Sequence, residues 1–311
     1  MKLVFCGTPD FAVPTLNALV NAGHTIELVV TQPDRPSGRG RNVSRSAVKR
    51  RADELNLPLS QPDKLKNNLD FKDQIERVTP DAIVVVAYGR IIPPWMLNLP
   101  RLGNLNVHAS LLPKYRGAAP IQWAIAKGEK TTGVTIMRLD EGLDTGPVLL
   151  QQTMPIDEQD TSLTLTPRLA ELGAHLMVET LEGLQAGTLK AIPQSDSDAS
   201  QAPVLKKEDG FVDFSLLAEE VNNRIRGFQP WPGVYCRFRG RNLQIITARA
   251  VEFKTPNQVG TIRLDQDRLF ITCAAGTSLE VLELQPEGKK RMSVREFING
   301  YRPRTGECLA A

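Results

Sequence analysis

The chain has 311 residues, of which 41% are hydrophobic and 23% are charged. This length exceeds what one hydrophobic core usually holds, so it predicts two domains, and the hydrophobic fraction excludes a wholly disordered chain. The formal net charge of +3 is too small to indicate a partner by itself. Because no stretch of about 18 apolar residues occurs and the first residues lack a signal-peptide pattern, we expect a cytoplasmic protein without a membrane partner.

Predicted strands and helices alternate in the first half of the chain. The apolar run 2–5 predicts a strand, and Thr8-Pro9-Asp10 has the residue types of a helix start, with Thr8 as the capping residue. Further strands are expected at 26–30, 81–88, 103–110, 132–139 and 148–156, and further helices at 46–55, 119–127 and 162–184. This alternation predicts an α/β fold with a Rossmann-like, doubly wound, mostly parallel sheet.

The composition changes after Gly187. Residues 194–203 are polar and lack an apolar period, which predicts a linker. Beyond one helix at 215–226, short runs of alternating residues separated by turn residues indicate a small β-barrel or sandwich. The predicted domains are therefore residues 1–188 and 207–311, joined by a linker at 189–206.

Four cysteines lie far apart and form no C-x-x-C pair. No histidine lies near enough to any of them to complete a zinc site of familiar spacing. We therefore expect no metal and four free thiols in a reducing compartment, those of Cys6, Cys236, Cys273 and Cys308.

Three polar residues are expected at one edge of the first sheet. Asn106 and His108 lie two apart on the predicted strand 103–110, so their side chains share a face near its C-terminal end, where open parallel sheets bind ligands. Asp144 follows the predicted strand 132–139, and the same rule assigns it to that edge.

An amide, an imidazole and a carboxylate at one place suit acyl-type transfer to an amine. Asn106 can donate to a developing oxyanion, and His108 can donate to the same oxygen or shuttle a proton. Asp144 can orient His108 or take a proton from the attacking amine. The same residues are also compatible with an interior histidine that is simply hydrogen-bonded and an asparagine that fixes a turn.

The segment SLLPKYRG, residues 110–117, is expected to form a loop over the same edge. Exposing Leu111 and Leu112 to water is unfavourable, so the pair suits an apolar wall for a planar ligand, although a plain surface loop fits the pattern as well. Tyr88 and Gly89 end an earlier strand at that edge.

Basic residues are concentrated in two zones. Residues 35–51 contain seven arginines and lysines and no acidic residue, and the excess of arginine favours phosphate contact. Residues 221–249 form a second acid-free stretch, and Lys206 and Lys207 end the linker. Two such zones favour a large polyanionic substrate, although a basic run is also typical of a solvated surface loop.

Several segments together resemble one enzyme family over nearly the whole chain, in order: GTPDFAVPTL, VVVAYGRIIP, NVHASLLPKYRGAAPIQWAI, GVTIMRLDEGLDTGPVL and WPGVY. The block N-x-H-x-S-L-L-P with a downstream L-D-x-G resembles enzymes that take a formyl group from 10-formyltetrahydrofolate. The resemblance implies that Asn106, His108 and Asp144 are catalytic. The residues expected beside the folate are Ser110, Leu111, Leu112, Pro113, Tyr88 and Gly89.

Within this family, the chain is similar to the members that formylate initiator methionyl-tRNA. This similarity implies a basic loop inserted after the second strand and a C-terminal barrel of the OB type on a basic linker, both of which grip tRNA. We therefore expect initiator methionyl-tRNA and the folate as the partners of this protein. We also expect the protein to be a monomer. The residues predicted to contact the nucleic acid are Arg35, Arg39, Arg41, Arg45, Lys206 and Lys207.

Three alternatives remain. A formyltransferase that acts on a nucleotide-linked amino sugar would share both halves of the chain but would not need the basic loop at 35–51. A Rossmann dehydrogenase is disfavoured because GTPDFAVP is not G-x-G-x-x-G and no acidic residue ends the second strand. A tRNA-binding protein without catalysis is disfavoured because it has no use for all three of Asn106, His108 and Asp144.

Overall fold

The computed structural model of the chain describes residues 1–37, 42–252 and 258–309. The chain divides into two compact units, which do not follow the sequence as two simple halves. The first unit comprises Met1–Gly117, Thr131–Pro155 and Thr166–Ala202, and the second comprises Ala118–Lys130, Ile156–Leu165 and Pro203–Ala311. The predicted boundaries at 188/189 and 206/207 stay a prediction.

The first unit is built on a seven-stranded sheet. In chain order, the first nine strands of the protein are β1 Lys2–Gly7, β2 Thr25–Val30, β3 Arg35–Ser37, β4 Asn42–Ser44, β5 Leu59–Ser60, β6 Ala82–Val86, β7 Asn104–His108, β8 Thr131–Arg138 and β9 Val148–Pro155. The sheet order is β5-β2-β1-β6-β7-β8-β9, and β3 pairs separately with β4. The five strands from β5 to β7 are parallel, and β8 and β9 are antiparallel. The predicted α/β fold with a mostly parallel sheet is confirmed.

Helices cover both faces of this sheet. The helices up to the end of the first unit are α1 Val13–Asn21, α2 Ala47–Glu54, α3 Leu69–Val78, α4 Pro94–Leu97, α5 Pro120–Ala126 and α6 Ser162–Ala186, and of these α5 lies in the second unit. Phe71 of α3 and Met96 of α4 pack in one buried cluster with Cys6 and Val85 of the sheet. On α6, a Cβ at Gly173 would lie 2.5 Å from Val107 Cγ1, so glycine permits the close approach of this helix to β7.

The predicted start of the first helix is wrong. Thr8 does not cap it: Pro9 and Ala12 stand at the N-cap positions of the first turn and of the helix, and neither position has a side-chain cap bond. The Thr8 hydroxyl instead donates to the carbonyl oxygen of Tyr88 at 3.2 Å. The chain first makes a short 3₁₀ turn at Asp10–Ala12, and α1 begins at Val13 with Pro14 in its first turn. Thr8 therefore joins the ends of two neighbouring strands instead of closing a helix terminus.

The direction of β8 corrects a second expectation. Leu105 pairs with Arg138 and His108 pairs with Thr135, so β8 runs against β7 and ends beside the first residues of β7. The strand-end rule that assigned Asp144 to the C-terminal edge of the parallel strands is therefore wrong for this strand. The nine residues between β8 and β9 must carry Asp144 to its position.

The second unit contains a six-stranded antiparallel sheet with helices beside it. Its strands are β10 Val234–Phe238, β11 Arg241–Val251, β12 Ile262–Asp265, β13 Arg268–Thr272, β14 Ser278–Pro286 and β15 Met292–Ser293, and its later helices are α7 Ala218–Gly227 and α8 Val294–Tyr301. The order is β10-β11-β14-β13-β12, with β15 paired to β14. Trp123 of α5 packs edge-on against Phe228 at 5.3 Å, which joins α5 to the core of this unit. The strand-rich second half is as predicted.

None of the helices in the described ranges combines the length and apolar character that crossing a bilayer requires.

Glu280 is buried on β14 between two arginines of neighbouring strands. Its Oε2 accepts a hydrogen bond from Arg249 Nε at 2.6 Å, and its Oε1 accepts one from Arg268 Nε at 2.7 Å. The bond from Arg268 lowers the pKa of the Glu280 carboxyl below its ordinary value; burial opposes this effect, and the bond from Arg249 adds to it.

The ionised Glu280 should therefore stabilise the fold above its ordinary pKa of 4.5, and this contribution should be lost as the pH falls through the lower, folded-state pKa. We expect Glu280→Gln to cost about 1 to 3 kcal/mol at pH 7 and much less in acid. Urea unfolding at pH 7 and at acidic pH measures the difference. Glu252→Gln, at an exposed position, is the matched control. A Glu280→Gln protein as stable as the wild type at pH 7 would contradict this assignment.

Candidate active site

The structure brings His108 and Asp144 together. His108 Nδ1 lies 3.6 Å from Asp144 Oδ2, and the two side chains are only 6% and 12% exposed. His108 Nε2 lies 2.9 Å from the carbonyl oxygen of Tyr115. Because a carbonyl oxygen only accepts, Nε2 carries a proton, and Nδ1 is the nitrogen that faces the carboxylate. The imidazole is thus bonded to a main-chain oxygen on one side and lies close to an acidic side chain on the other.

Asn106 lies two residues before His108 on β7, so the two side chains leave the sheet on the same face. In register, Asn106 is flanked by Val85 of β6 and Met137 of β8. The side chain is half-buried, and within the described part of the chain its amide has no hydrogen-bonding partner. An amide donor that remains free at a partly open position is available to a substrate oxygen.

Asp144 is positioned by contacts from outside its own loop. It adopts a left-handed backbone conformation with φ of 54°. Its Oδ2 accepts the Gly117 N–H at 2.8 Å, and its carbonyl oxygen accepts Gln194 Nε2 at 2.8 Å. The long connection between β8 and β9 therefore brings Asp144 back to His108. The predicted position of Asp144 is thus correct, although the strand-end rule that predicted it does not apply to the antiparallel β8. Gln194 lies in the predicted linker, and sequence reasoning gave it no role.

The loop at 110–117 is fixed to the two antiparallel strands. The Leu112 N–H donates to Thr135 Oγ1 at 3.1 Å, and the Leu112 carbonyl accepts Gln151 Nε2 at 3.0 Å. Thr135 Oγ1 also donates to the Ser110 carbonyl at 2.7 Å. Thr135 and Gln151 are supporting residues that sequence reasoning missed, because only the pairing of β8 and β9 places them under the loop.

The residues predicted beside the folate differ in exposure. Leu112 and Ser110 are buried, and the Ser110 hydroxyl donates to the Lys114 carbonyl at 2.6 Å. Leu111 and Pro113 are half-buried, so they are the apolar side chains of this segment that remain open to a ligand.

Tyr88 and Gly89 also differ from one another. The Tyr88 ring is fully buried, and no hydroxyl partner is found for it among the described residues. Gly89 is exposed and has a φ of +77°. Of the two residues, the main chain of Gly89 is therefore the part that a ligand could reach.

Cys6 is not suited to act as a nucleophile in this part of the sheet. It is fully buried on β1, and burial raises the pKa of its thiol above the ordinary value. The thiolate that nucleophilic attack needs is therefore disfavoured. All four cysteines are unpaired, as predicted. In the described ranges, no cluster of three or more His, Cys, Asp or Glu side chains is arranged to hold a metal ion.

Acidic residues pair with part of the first basic zone. Arg39 and Arg41 lie outside the described residues, and for Arg35 only the backbone is described. Arg45 faces Asp53 at 3.3 Å, and its side chain is 58% exposed. Lys49, Arg50 and Arg51 also lie within ion-pair distance of acidic residues.

The second basic zone is likewise partly neutralised. Arg239 pairs with Glu307 and Arg249 with Glu280. Lys206 and Lys207, at the end of the predicted linker, are exposed. The predicted nucleic-acid contacts are thus placed at exposed positions wherever their side chains are described, and their role stays a prediction.

Comparisons with known proteins agree on one family. Residues 1–181 match the formyl transferase family, and residues 204–302 match the formyl transferase C-terminal domain. The chain is 58% identical over 309 residues to the methionyl-tRNA formyltransferase of Koribacter versatilis, covering 99% of this chain and 98% of that protein. It is also 58% identical over 300 residues to that of Acidobacterium capsulatum, covering 96% of both chains.

A solved structure shares the fold at low identity. The N-formyltransferase from Helicobacter canadensis, in complex with folinic acid and dTDP-3-aminofucose, superposes with a TM-score of 0.68 at 17% identity. The match covers 92% of this chain and 99% of that one. At this identity the likeness concerns the fold alone, and the sequence matches decide the family. The chain belongs to the formyl transferase family.

Proposed function

We propose that this protein transfers the formyl group of 10-formyltetrahydrofolate to the α-amino group of methionine esterified to initiator tRNA, in the cytoplasm. The observation that carries the proposal is the His108–Asp144 pair beside the free amide of Asn106. It occurs in a chain that is 58% identical over 99% of its length to a methionyl-tRNA formyltransferase.

Asn106 stabilises the charge that develops during attack. The neutral amine attacks the formyl carbon, a C–N bond forms, and the formyl oxygen becomes negative. Asn106 donates a hydrogen bond to this oxygen, because its amide is half-buried and has no competing partner in the described residues. The bond between the formyl carbon and N10 of the folate then breaks.

Asp144 moves the proton that the reaction must transfer. It accepts a proton from the attacking amine, directly or through a water molecule, and the proton passes to N10 of the leaving tetrahydrofolate. His108 lies against the carboxylate on the side of β7, with its Nδ1 3.6 Å from Asp144 Oδ2, and it adds a polar group beside the oxyanion. One formyl group and one hydrogen thus exchange places between the two nitrogens.

The formyl donor is a substrate, and the loop at 110–117 suits it. The main chain of Leu112 is fixed on both sides by Thr135 and Gln151, while Leu111 and Pro113 stay half-buried. A loop whose main chain is fixed and whose apolar side chains remain accessible is the kind of surface that binds a flat ring system. The exposed main chain of Gly89 adds polar groups that such a ring can use.

The acceptor requires a surface for a long polyanion. We infer that domains at 1–188 and 207–311 both contribute. The contacts are the basic loop around Arg39 and Arg41, the exposed Lys206 at the end of the linker at 189–206, and the exposed Lys207 at the start of the second domain. Arg35 and Arg45 flank that loop and are assigned to the same contact.

The test is incubation of the purified protein with methionyl-tRNA and 10-formyltetrahydrofolate, followed by hydrolysis of the ester and detection of formylmethionine by mass spectrometry. Product with methionyl-tRNA is the expected result. Transfer to a nucleotide-linked amino sugar but not to methionyl-tRNA would contradict the proposal. Binding of tRNA without any formylated product would do so as well.

Removal of charge from the basic loop should weaken the binding of methionyl-tRNA and leave the binding of the folate unchanged. We expect the double variant Arg39→Gln, Arg41→Gln to raise the KM for methionyl-tRNA about ten-fold at low salt and to leave the KM for the folate unchanged. The difference from wild type should shrink as salt rises, because added ions already screen the contact. Steady-state kinetics over a range of salt concentrations provide the measurement.

The matched control is Lys64→Gln, Lys66→Gln, which removes two exposed charges at the same spacing. It should leave the KM for methionyl-tRNA within about two-fold of the wild-type value. Equal kinetics for the two double variants would contradict a role of the basic loop in binding methionyl-tRNA.

A further inference from the structure

Residues in the middle of the predicted linker at 189–206 are hydrogen-bonded to the loops that hold the catalytic pair. Residues 192–202, which we call the strap, belong to the first compact unit. The Tyr115 N–H donates to Ser200 Oγ at 2.9 Å, and the Arg116 N–H donates to the Ser200 carbonyl at 2.8 Å. The Ala202 N–H returns a bond to the Arg116 carbonyl at 2.7 Å. The strap thus fixes the loop whose Tyr115 carbonyl holds His108.

Gln194 connects the strap to the other loop. Its Nε2 donates to the carbonyl oxygens of Asp144 at 2.8 Å and Gly146 at 2.7 Å. Its Oε1 accepts Arg116 Nε at 3.1 Å. Both N–H groups of the Gln194 amide are therefore bonded to the turn that carries Asp144. The amide oxygen is bonded to the loop beside His108.

Arg116 gives this connection a buried charge. Its side chain is 6% exposed, and its Nη1 donates to Asp196 Oδ1 at 2.9 Å. A buried guanidinium is strongly unfavourable unless it is paired, so Arg116 resists movement away from Gln194 and Asp196. Two residues of the strap thus hold the residue that follows Tyr115.

We propose that Gln194 is a positioning residue for the reaction: it sets the distance between the Asp144 carboxylate and His108 by bonding the Asp144 and Arg116 loops to each other. The inference rests on the proposed function, because it assigns Asp144 the proton transfer. Asp144 has a left-handed backbone conformation. The side-chain hydrogen bond to its carbonyl oxygen comes from Gln194, which lies outside the loop of Asp144. A shift of about 1 Å in such a group is enough to cost two orders of magnitude in rate.

The decisive variant is Gln194→Glu. It keeps the size of the side chain and the acceptor for Arg116, but it loses both donors to the Asp144 and Gly146 carbonyls. We expect kcat to fall about 10- to 100-fold, with both KM values within about three-fold and the Tm within a few degrees of wild type. Gln194→Met, which removes donors and acceptor, should show at least the same loss.

Gln201→Glu is the matched control, because it makes the same change on the same strap at an exposed side chain. It should keep the wild-type kcat. An unchanged kcat in Gln194→Glu and Gln194→Met would overturn the proposal. A fall in Tm together with a rise in both KM values would also overturn it, since that pattern describes a residue that supports the fold only.

A second readout needs no substrate. The chain has three histidines, so the imidazole C–H resonance of His108 can be followed by NMR against those of His24 and His175. We expect Gln194→Glu and Gln194→Met to shift the His108 resonance alone, and Gln201→Glu to shift none. No shift would contradict the positioning role even if the kinetics changed. Absence of formylmethionine with the wild-type protein would instead contradict the proposed function.

Discussion

Replacing Asp144 with asparagine should abolish most formyl transfer while the tRNA affinity stays within a few-fold of wild type. The asparagine oxygen can still accept the Gly117 N–H, and the main-chain bond from Gln194 is retained, so the loop should keep its shape. What is lost is the negative charge that takes the proton from the amine. Loss of a general base typically costs about 10² to 10⁴ in rate, and we expect kcat to fall in that range.

Single-turnover formylation measures the chemical step of this variant, and filter binding measures its affinity for methionyl-tRNA. Glu141→Gln is the matched control, because it neutralises an exposed carboxylate of the same loop. The control should keep the wild-type rate. If Asp144→Asn lost tRNA binding instead of turnover, Asp144 would be a contact to the acceptor and not the proton carrier.

The order of the strands in the first unit shows where sequence patterns stop being informative. The alternation of apolar runs and helical periods predicted the α/β sheet and placed Asn106 and His108 on one strand. The same patterns carry no information on strand direction, so β8 was assigned to the wrong orientation. Direction depends on which backbone groups pair across the sheet, and a nine-residue connection then decided where Asp144 lies.

The linker and the basic zones show a second limit. Low hydropathy at 194–203 predicted a spacer, yet Gln194 and Ser200 make specific bonds to loops about 50 and 85 residues away in sequence. In the same way, residues 221–249 lack acids, but Arg249 pairs with Glu280 and Arg239 with Glu307 in the fold. Polar contacts between distant segments leave no period in the sequence, and they supply much of what holds this site.

Asn106→Ala should lower kcat on the order of 100-fold or more, with little change in the KM for either substrate. The amide has no partner in the described residues, so its removal takes away no bond that the free protein makes. A group that interacts only with the charge of the transition state affects kcat and kcat/KM together. Loss of one such donor typically costs about 10² to 10³ in turnover.

The isosteric change Asn106→Asp distinguishes the effect of the hydrogen bond that Asn106 donates from the effect of its side-chain size. It keeps the size of the side chain but places a negative charge where the oxyanion forms, so its kcat should fall at least as far as that of Asn106→Ala. Thermal unfolding should show that neither variant changes the Tm by more than a few degrees, because Val85 and Met137 continue to flank the position. If Asn106→Asp were instead as active as wild type, size alone would explain the residue. The oxyanion would then have to be stabilised by His108, whose Nε2 would have to leave the Tyr115 carbonyl to reach it.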